Sequence, residues 1–594
     1  MREQDANAVS EASGLPGWVY KRDGRLVPFE SDRITQALFA ASESAGTPDA
    51  FLARELTDGV LHFLEREVAG NVPTTAQVAE LIVKVVRELG QPGLSRAYAD
   101  GNRRRLRASR SGTAPSGETA ALAGGGATFR FQITEAPDVV TRNCLREYSL
   151  QAIFSRDLAA AHRQGLLTLF GLETPLELAG CTFDLTGQGW DRNQERTAWV
   201  HSRRSGALVQ ALVDMRRRAG SFLAIDGPEY ALTPFASAGD LAKNSGELAA
   251  GLEATGLAAV INLNCSQPPT WADEPGEGPL FAEARRSSPP AHVEEYRSVL
   301  LEQLLRPMFA GRVRIDWHLS ERDFGAANAP PDPRLLRLVR CAADSSSLSF
   351  TFDRASYPVS LAEGIDRKNP AVLLAVGLNL PRLLELAEID GDSEHFLVKL
   401  ASLSRMAVSA AVQKRGFLRR QAAGRDLGRG FLLDRARLVV VPIGLEAAVR
   451  ALTGQAMIRE GAGTLGQQIV SSLCANLRQA AHAASLEVTL DGPCWSRFAR
   501  SGGFSAGDDP DVPQASQVAG VTSWAPDTEV KAQIKASGLL HAVAEAGTAA
   551  ILIPQDRLPD AEELAGLLQY AWSRTQVACL RFIRVPYQQQ QLAW

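Results

Sequence analysis

Cysteine and histidine are sparse in this 594-residue chain, and neither is grouped. The seven cysteines (Cys144, Cys181, Cys265, Cys341, Cys474, Cys494 and Cys579) are odd in number, scattered and never spaced C-x-x-C. That pattern offers neither a disulfide framework nor a zinc knuckle, so buried reduced thiols are expected. The eight histidines stand singly, without H-x-x-H or H-E-x-x-H, and no metal is expected. A P-loop and a G-x-G-x-x-G turn after a strand are also missing. No uninterrupted apolar run approaches the roughly 20 residues of a membrane span. The start, MREQDANAVSEASG, has no hydrophobic signal core. With 63 Lys and Arg against 67 Asp and Glu, the net charge of −4 gives no footprint for nucleic acid or an anionic membrane. A cytoplasmic protein is expected.

What is present describes an ordinary globular chain, 45% apolar and 22% charged. Its length implies two or more domains. Residues 1–16 read as a disordered leader. VYKRDGRLVPFESDRI, from Val19, reads as a strand with two adjacent cations, a turn at Asp23-Gly24, a second strand and a helix. Ser31 suits the cap of that helix, with Ile34, Ala37, Leu38 and Ala41 at helical spacing. Leu52, Leu56, Val60, Phe63 and Leu64 mark a second helix. Thr75 is read as capping a third, striped by Val78, Leu81, Ile82, Val85, Val86 and Leu89. A fourth runs from Ser95 to about Arg107. A hairpin over four short helices makes a compact domain over 17–107. The small, glycine-rich ASRSGTAPSGETAALAGGG then reads as a flexible linker, placed at 108–138.

From 139 to 594 apolar strands alternate with helical patterns, which predicts an α/β architecture. Strands are expected near Leu263, Trp317, Phe352, Leu378, Ile443, Ile553 and Phe582. Long helices are expected from about Ser393 and Asp560. Seven or more such strands suit a large closed α/β barrel or a doubly wound open sheet. The acidic run at Asp508, Asp509 and Asp511 sits among Gly and Pro and reads as a solvated loop.

The N-terminal pattern resembles the ATP-cone, the nucleotide-sensing module at the front of many ribonucleotide reductases. The resemblance rests on the basic hairpin, the following helix, the T-x-x-V at Thr75 and SRAYADGNRRR from Ser95. It implies ATP or dATP as an allosteric ligand. It also implies nucleotide contacts at Val19, Lys21, Arg22, Gly24, Arg33, Ile34, Thr75 and Val78. Arg33 stands where that family usually has Lys; it is cationic but bulkier and forked.

The remainder resembles the anaerobic (class III) ribonucleoside-triphosphate reductase in segments that keep the family's order. These are SRDLAAAHRQGLL from Ser155, DGPEYALTPFA from Asp226, VGLNLPRLLELA from Val376, VVVPIGLEAAVRALTG from Val439 and LLHAVAEAGTAAILIP from Leu539. The resemblance implies a ten-stranded α/β barrel of the ribonucleotide reductase and glycyl radical type. It also implies substrate-phosphate contacts at Gly547 and Thr548, and a homo-oligomer with a reductase or activase partner. The chain departs from the family where its chemistry lies. Reductases carry a thiyl cysteine on a loop inside the barrel; here that stretch reads TFDRASYPVSLAEGIDRKNPA and holds no Cys. After ACLRFIRVPYQQQQLAW no zinc cysteines and no glycyl loop follow. RSGGF from Arg500 precedes the substrate loop and reads as a surface turn. Cys265, in INLNCSQPP, is the remaining catalytic candidate, and a packed thiol otherwise. After His162 the family's polar positions are replaced by Gly165-Leu166-Leu167 and Phe170-Gly171. The expectation is an ATP- or dATP-binding regulator or binding protein without autonomous radical catalysis, a pseudoenzyme. The alternatives are a reductase receiving its radical from another chain and an inert barrel whose cone controls oligomerisation.

Overall fold

A computed structural model describes residues 15–68, 71–110, 137–183, 207–216, 218–231, 238–265, 290–306, 309, 312–324, 332–345, 347–354, 359–362, 364–366, 368–421, 431–490, 529–554 and 560–585. Most of the expected leader and linker, RSGGF and the acidic run at Asp508 lie outside these residues. The chain divides into two compact units, Met1–Gln164 and Gly165–Trp594.

In the first unit β1 (Trp18–Tyr20) and β2 (Leu26–Pro28) pair antiparallel, Val19 opposite Val27. The Lys21 N–H donates to Arg25 O at 2.8 Å and the Gly24 N–H to Lys21 O at 2.9 Å. This tight closure puts Gly24 at φ 83°, where a Cβ is unfavourable. Six helices follow among the described residues: α1 (Asp32–Ser44), α2 (Ala50–Val68), α3 (Thr75–Glu88), α4 (Pro92–Arg110), α5 (Pro137–Ala152) and α6 (Arg156–Arg163). Most of the apolar stripes read from the sequence are buried, with Leu38, Leu56, Val60, Leu81, Ile82, Val85 and Val86 in the core, but Leu89, which follows the last turn of α3, is 49% exposed. The cap of α3 is Thr74 rather than Thr75. Thr74 Oγ1 accepts from the Gln77 N–H at 3.2 Å, and Gln77 Oε1 accepts from the Thr74 N–H at 2.8 Å. A reciprocal box needs Gln or Glu three residues on, which Thr74 has and Thr75, followed by Val78, lacks. Ser31 flanks α1 without a side-chain capping bond. The short α6 packs on α1 and α2. There, buried Arg54 of α2 donates to Asp32 at 2.8 Å and lies 3.9 Å from buried Asp157 of α6.

The second unit is built on β3 (Leu167–Leu169), β4 (Leu178–Phe183), β5 (Ala219–Asp226), β6 (Ala258–Asn264), β7 (Val313–Leu319), β8 (Leu348–Phe352), β9 (Ser360–Ala362), β10 (Ile365–Asp366), β11 (Ala371–Asn379), β12 (Ala436–Ile443), β13 (Val488–Leu490), β14 (Thr548–Pro554) and β15 (Cys579–Val585). Among the described residues ten strands follow one path, β13-β12-β11-β4-β5-β6-β7-β8-β15-β14, and β3 adds to β11. Strands β4 to β8 are mutually parallel, as are β11 to β13 and the pair β14–β15. The two junctions, β11–β4 and β8–β15, are antiparallel. Five strands therefore run one way and five the other. Strand β13 and the turn before β14, at opposite ends of the path, line one cleft of ≈ 280 Å³.

All seven expected strands form, as β6, β7, β8, β11, β12, β14 and β15. Strands β4 and β5 were not anticipated, because LAGCTF and AGSFLAID are rich in Ala and Gly and poor in β-branched residues. The small residues have a packing role: a Cβ on Gly180 would lie 2.1 Å from the Phe222 ring of the neighbouring strand. The helix Ser393–Arg420 is long and apolar enough on composition to span a membrane, unlike the sequence expectation. Here it packs on β11, β12 and the helix Glu460–Ala483, burying Phe396, Leu400, Leu403, Met406 and Phe417.

Candidate functional site

In the first unit the positions singled out in the sequence surround the hairpin and the start of α3. Val19, Ile34 and Val78 are buried apolar groups from β1, α1 and α3. The Tyr20 N–H donates to Pro73 O at 2.9 Å, so Lys21 follows directly on the strand pinned beside the α3 N-terminus. Thr75 is the first residue of that helix, where backbone N–H groups have no intrahelical acceptor. Lys21 is half-buried and Arg22 exposed, and neither forms an ion pair among the described residues. Arg33 is exposed and donates to Glu30 at 2.7 Å. Tyr98 of α4 was not singled out in the sequence. Burial pushes its hydroxyl above the ordinary range, opposed by the positive fields of Arg105 and Arg22. The hairpin cation and the basic end of α4 therefore act on one point. The only signal was the run SRAYADGNRRR, which contains both Tyr98 and Arg105. Unpaired cations beside a helix N-terminus form a surface suited to a polyanion.

In the second unit the segment between β8 and β11 enters the interior of the sheet. Its β9–β10 hairpin places Leu361, Ala362 and Ile365 against Ala179, Phe222, Ala224, Val260, Val372, Val439 and Val441. Gly364 forms the hairpin turn at φ 72°, and a Cβ there would strike Val439 Cγ2. Arg437 of β12 donates to Gly364 O and pairs with Asp366 at 3.0 Å. Before the hairpin, Arg354 lies 4.8 Å over the Trp572 ring and donates to Ala571 O and Trp572 O. The loop is thus sulfur-free, apolar at its buried tip and fastened at both ends.

The opposite wall of the interior is polar. Register puts Asn262 of β6 beside Asp316 of β7, and Asn264 beside His318. It puts Asp316 beside Ser349 of β8, and His318 beside Thr351. His318 Nδ1 lies 2.8 Å from Asp353 Oδ1, and Nε2 lies 2.9 Å from Asn262 Oδ1. Asn262 Nδ2 donates to Ile225 O at 3.1 Å and to the hairpin's Leu361 O at 2.8 Å. Asp316 accepts from Arg314 and Ser349; burial would raise its carboxyl, but these partners hold it below the ordinary range.

Cys265, the sequence candidate, follows β6 one step out of phase with Val260, Asn262 and Asn264. It is buried near Arg297 and Asp323, and burial with the Asp323 charge pushes its thiol upward. Cys181 stands opposite Leu223 and Ala371, while the interior residues Phe222 and Val372 stand opposite Gly180; burial pushes its thiol up to about 12. Among the described cysteines, the one that register places on the inner face is Cys579, opposite Thr351 on one side and Thr548 on the other. Its facing is invisible in the sequence. Gly547, at φ 131°, lies under the His541 ring, 2.5 Å from where its Cβ would be. The His541 Nδ1 accepts the Ala578 N–H at 3.1 Å, and burial pushes the ring down to about 4. The cleft between the ends of the strand path is lined by Ala544, Glu545 and Ala546 ahead of β14 and holds Asp366, Lys368, Asn369, Arg437 and Arg478.

The family model for the ATP cone domain matches residues 18–105. No curated protein matches the chain. Among solved structures, the anaerobic ribonucleotide reductase from Thermotoga maritima in complex with dATP and CTP is similar. It is 13% identical with a TM-score of 0.56, over 75% of this chain and 82% of that one. The same enzyme with dATP bound in the specificity site gives 13% identity and a TM-score of 0.56, over 75% and 83%. A further solved structure of an anaerobic ribonucleotide reductase gives 12% and 0.54, over 75% and 80%. At this identity the likeness concerns the fold. Residues 18–105 are an ATP cone domain, joined in this chain to an α/β unit with the fold of the anaerobic ribonucleotide reductases.

Proposed function

We propose that the chain is a nucleotide-responsive regulator or binding protein whose cone takes ATP or dATP and whose barrel performs no radical chemistry by itself. The observation carrying this reading is the loop between β8 and β11. Where a reductase would present a thiol, this loop packs Leu361, Ala362 and Ile365 into the interior. Hydrocarbon there offers no thiol to carry a radical. The triphosphate would lie across Lys21, Arg22 and the α3 N-terminus, with Val19, Ile34 and Val78 beneath the hairpin. Nucleotide then acts through its different affinity for two states of association of the chain with itself or with a reductase or activase partner. Calorimetric titration with ATP and dATP tests this. Wild type binds at least one of them, and Lys21→Ala binds at least about tenfold more weakly, as loss of one charge-assisted phosphate contact predicts. No heat from either nucleotide at millimolar concentration defeats the reading.

Cys579 favours a second reading, a reductase subunit that takes its radical from another chain. This sulfur faces the interior, although on a strand wall and not on the loop tip. The second reading requires deoxynucleotide formation with a candidate activase that Cys579→Ser abolishes. The same assay on Cys265→Ala separates the two thiols.

A further inference from the structure

We propose that Asp353, His318 and Asn262 form a latch that holds the β9–β10 hairpin inside the barrel, and that His318 carries a proton on both ring nitrogens to do so. The argument is one of donors and acceptors. Asn262 Nδ2 faces two carbonyl oxygens, Ile225 O and Leu361 O, so the amide orientation is set and Oδ1 must face His318. Oδ1 only accepts, so His318 Nε2 must donate across 2.9 Å. At the other nitrogen Asp353 Oδ1 stands 2.8 Å from Nδ1. A neutral imidazole has one N–H and cannot serve both contacts. The extra proton belongs to the His318–Asp353 pair. An isolated imidazole, at about 6.5, holds it more firmly than an isolated carboxylate at about 3.9.

The charges around the ring are largely paired among themselves, which leaves Asp353 as the direct counter-charge of the cation. Asp353 meets it from the end of β8, and Asp316 acts on it from its own strand while bonded to Arg314. Glu229 lies behind Asn264, its β6 neighbour, and Arg581 enters from β15. On the hairpin side Asp366 is paired with Arg437. His318 is buried, so a cation there needs the partners it has. Through Asn262 the proton is tied to Leu361 O on the hairpin, a contact that holds the hairpin in the interior. This inference does not depend on the nucleotide reading, since every group lies in the second unit.

Two measurements on the full chain test it. Long-range proton–nitrogen correlation of histidine side chains, with His318 assigned by its loss in His318→Gln, is expected to show two protonated nitrogens at pH 7.5. One unprotonated ring nitrogen overturns the proposal. Hydrogen exchange by mass spectrometry then compares wild type with Asp353→Asn, which keeps an acceptor but removes the charge. Exchange in 359–366 is expected to rise at least about tenfold while peptides of α3 are unchanged. Unchanged exchange in 359–366 in both Asp353→Asn and His318→Gln refutes the latch. If Asp353→Asn does not fold, the wild-type nitrogen spectrum decides.

Discussion

At the scale of single residues, packing and titration give two testable positions. Gly364 combines a left-handed φ of 72° with a neighbour, Val439 Cγ2, 2.1 Å from where a Cβ would lie. Gly364→Ala should therefore destabilise the second unit by about 1–3 kcal/mol, read as a lower urea midpoint. His541 is buried neutral, with burial pushing it to about 4. Between pH 6.5 and 4 the unfolded chain binds a proton there more readily than the folded one. Its contribution is thus fully present above about pH 6.5 and lost as pH falls toward 4. His541→Asn keeps an acceptor for the Ala578 N–H but does not titrate. In urea titrations at pH 7, 5.5 and 4.5, wild type should lose more stability than the variant, by at most about 3 kcal/mol at the acid end. Parallel loss in both proteins would mean that the ring does not control this acid sensitivity.

At the scale of elements, the local rules worked where the signal is local. The stripe of α3 was legible from Val78 to Val86, yet its start was misplaced by one residue. Two adjacent threonines can each cap, and the Gln77 partner decides for Thr74. Thr74→Ala should cost about 1 kcal/mol of cone stability, with Thr75→Ala costing less. Thermal melts of the full chain with exchange read in α3 distinguish them; equal effects would reject the assignment. Strands rich in Val, Ile and Leu, such as β11 and β12, were read correctly. The alanine- and glycine-rich β4 and β5 were not, because their extended form is imposed by neighbours on both sides and not by their own preference.

At the scale of the whole molecule, the cone and the barrel unit pose one question, whether nucleotide at the hairpin alters association of the chain. Light scattering with and without dATP is expected to show a change in mass that Lys21→Ala weakens in step with its loss of binding. A mass that ignores saturating dATP would limit the cone to binding alone. Within the first unit, Arg54 links Asp32 of α1 to Asp157 of α6, and burial pushes the Asp157 carboxyl upward. Asp157→Ala should free α6 and raise exchange in 156–163 several-fold, because the pair is buried and Arg54 would lose one of its two carboxylate neighbours.

The sequence alone carried the resemblance to the ATP cone, since the basic hairpin, the helix after it, the T-x-x-V at Thr75 and SRAYADGNRRR lie within one continuous stretch and their elements interact with near neighbours. It also determined that the rest is an α/β chain with seven recognisable strands. Only the tertiary structure decided what faces the interior. Asn262, His318 and Asp353 come together across separations of 56 and 35 residues. Cys579 points inward and Cys181 does not because of strand register. A shift of one residue reverses every side chain on a strand, and β4 has such an irregularity between Leu178 and Gly180. Side-chain facing is a property of paired strands, and no strand carries it by itself.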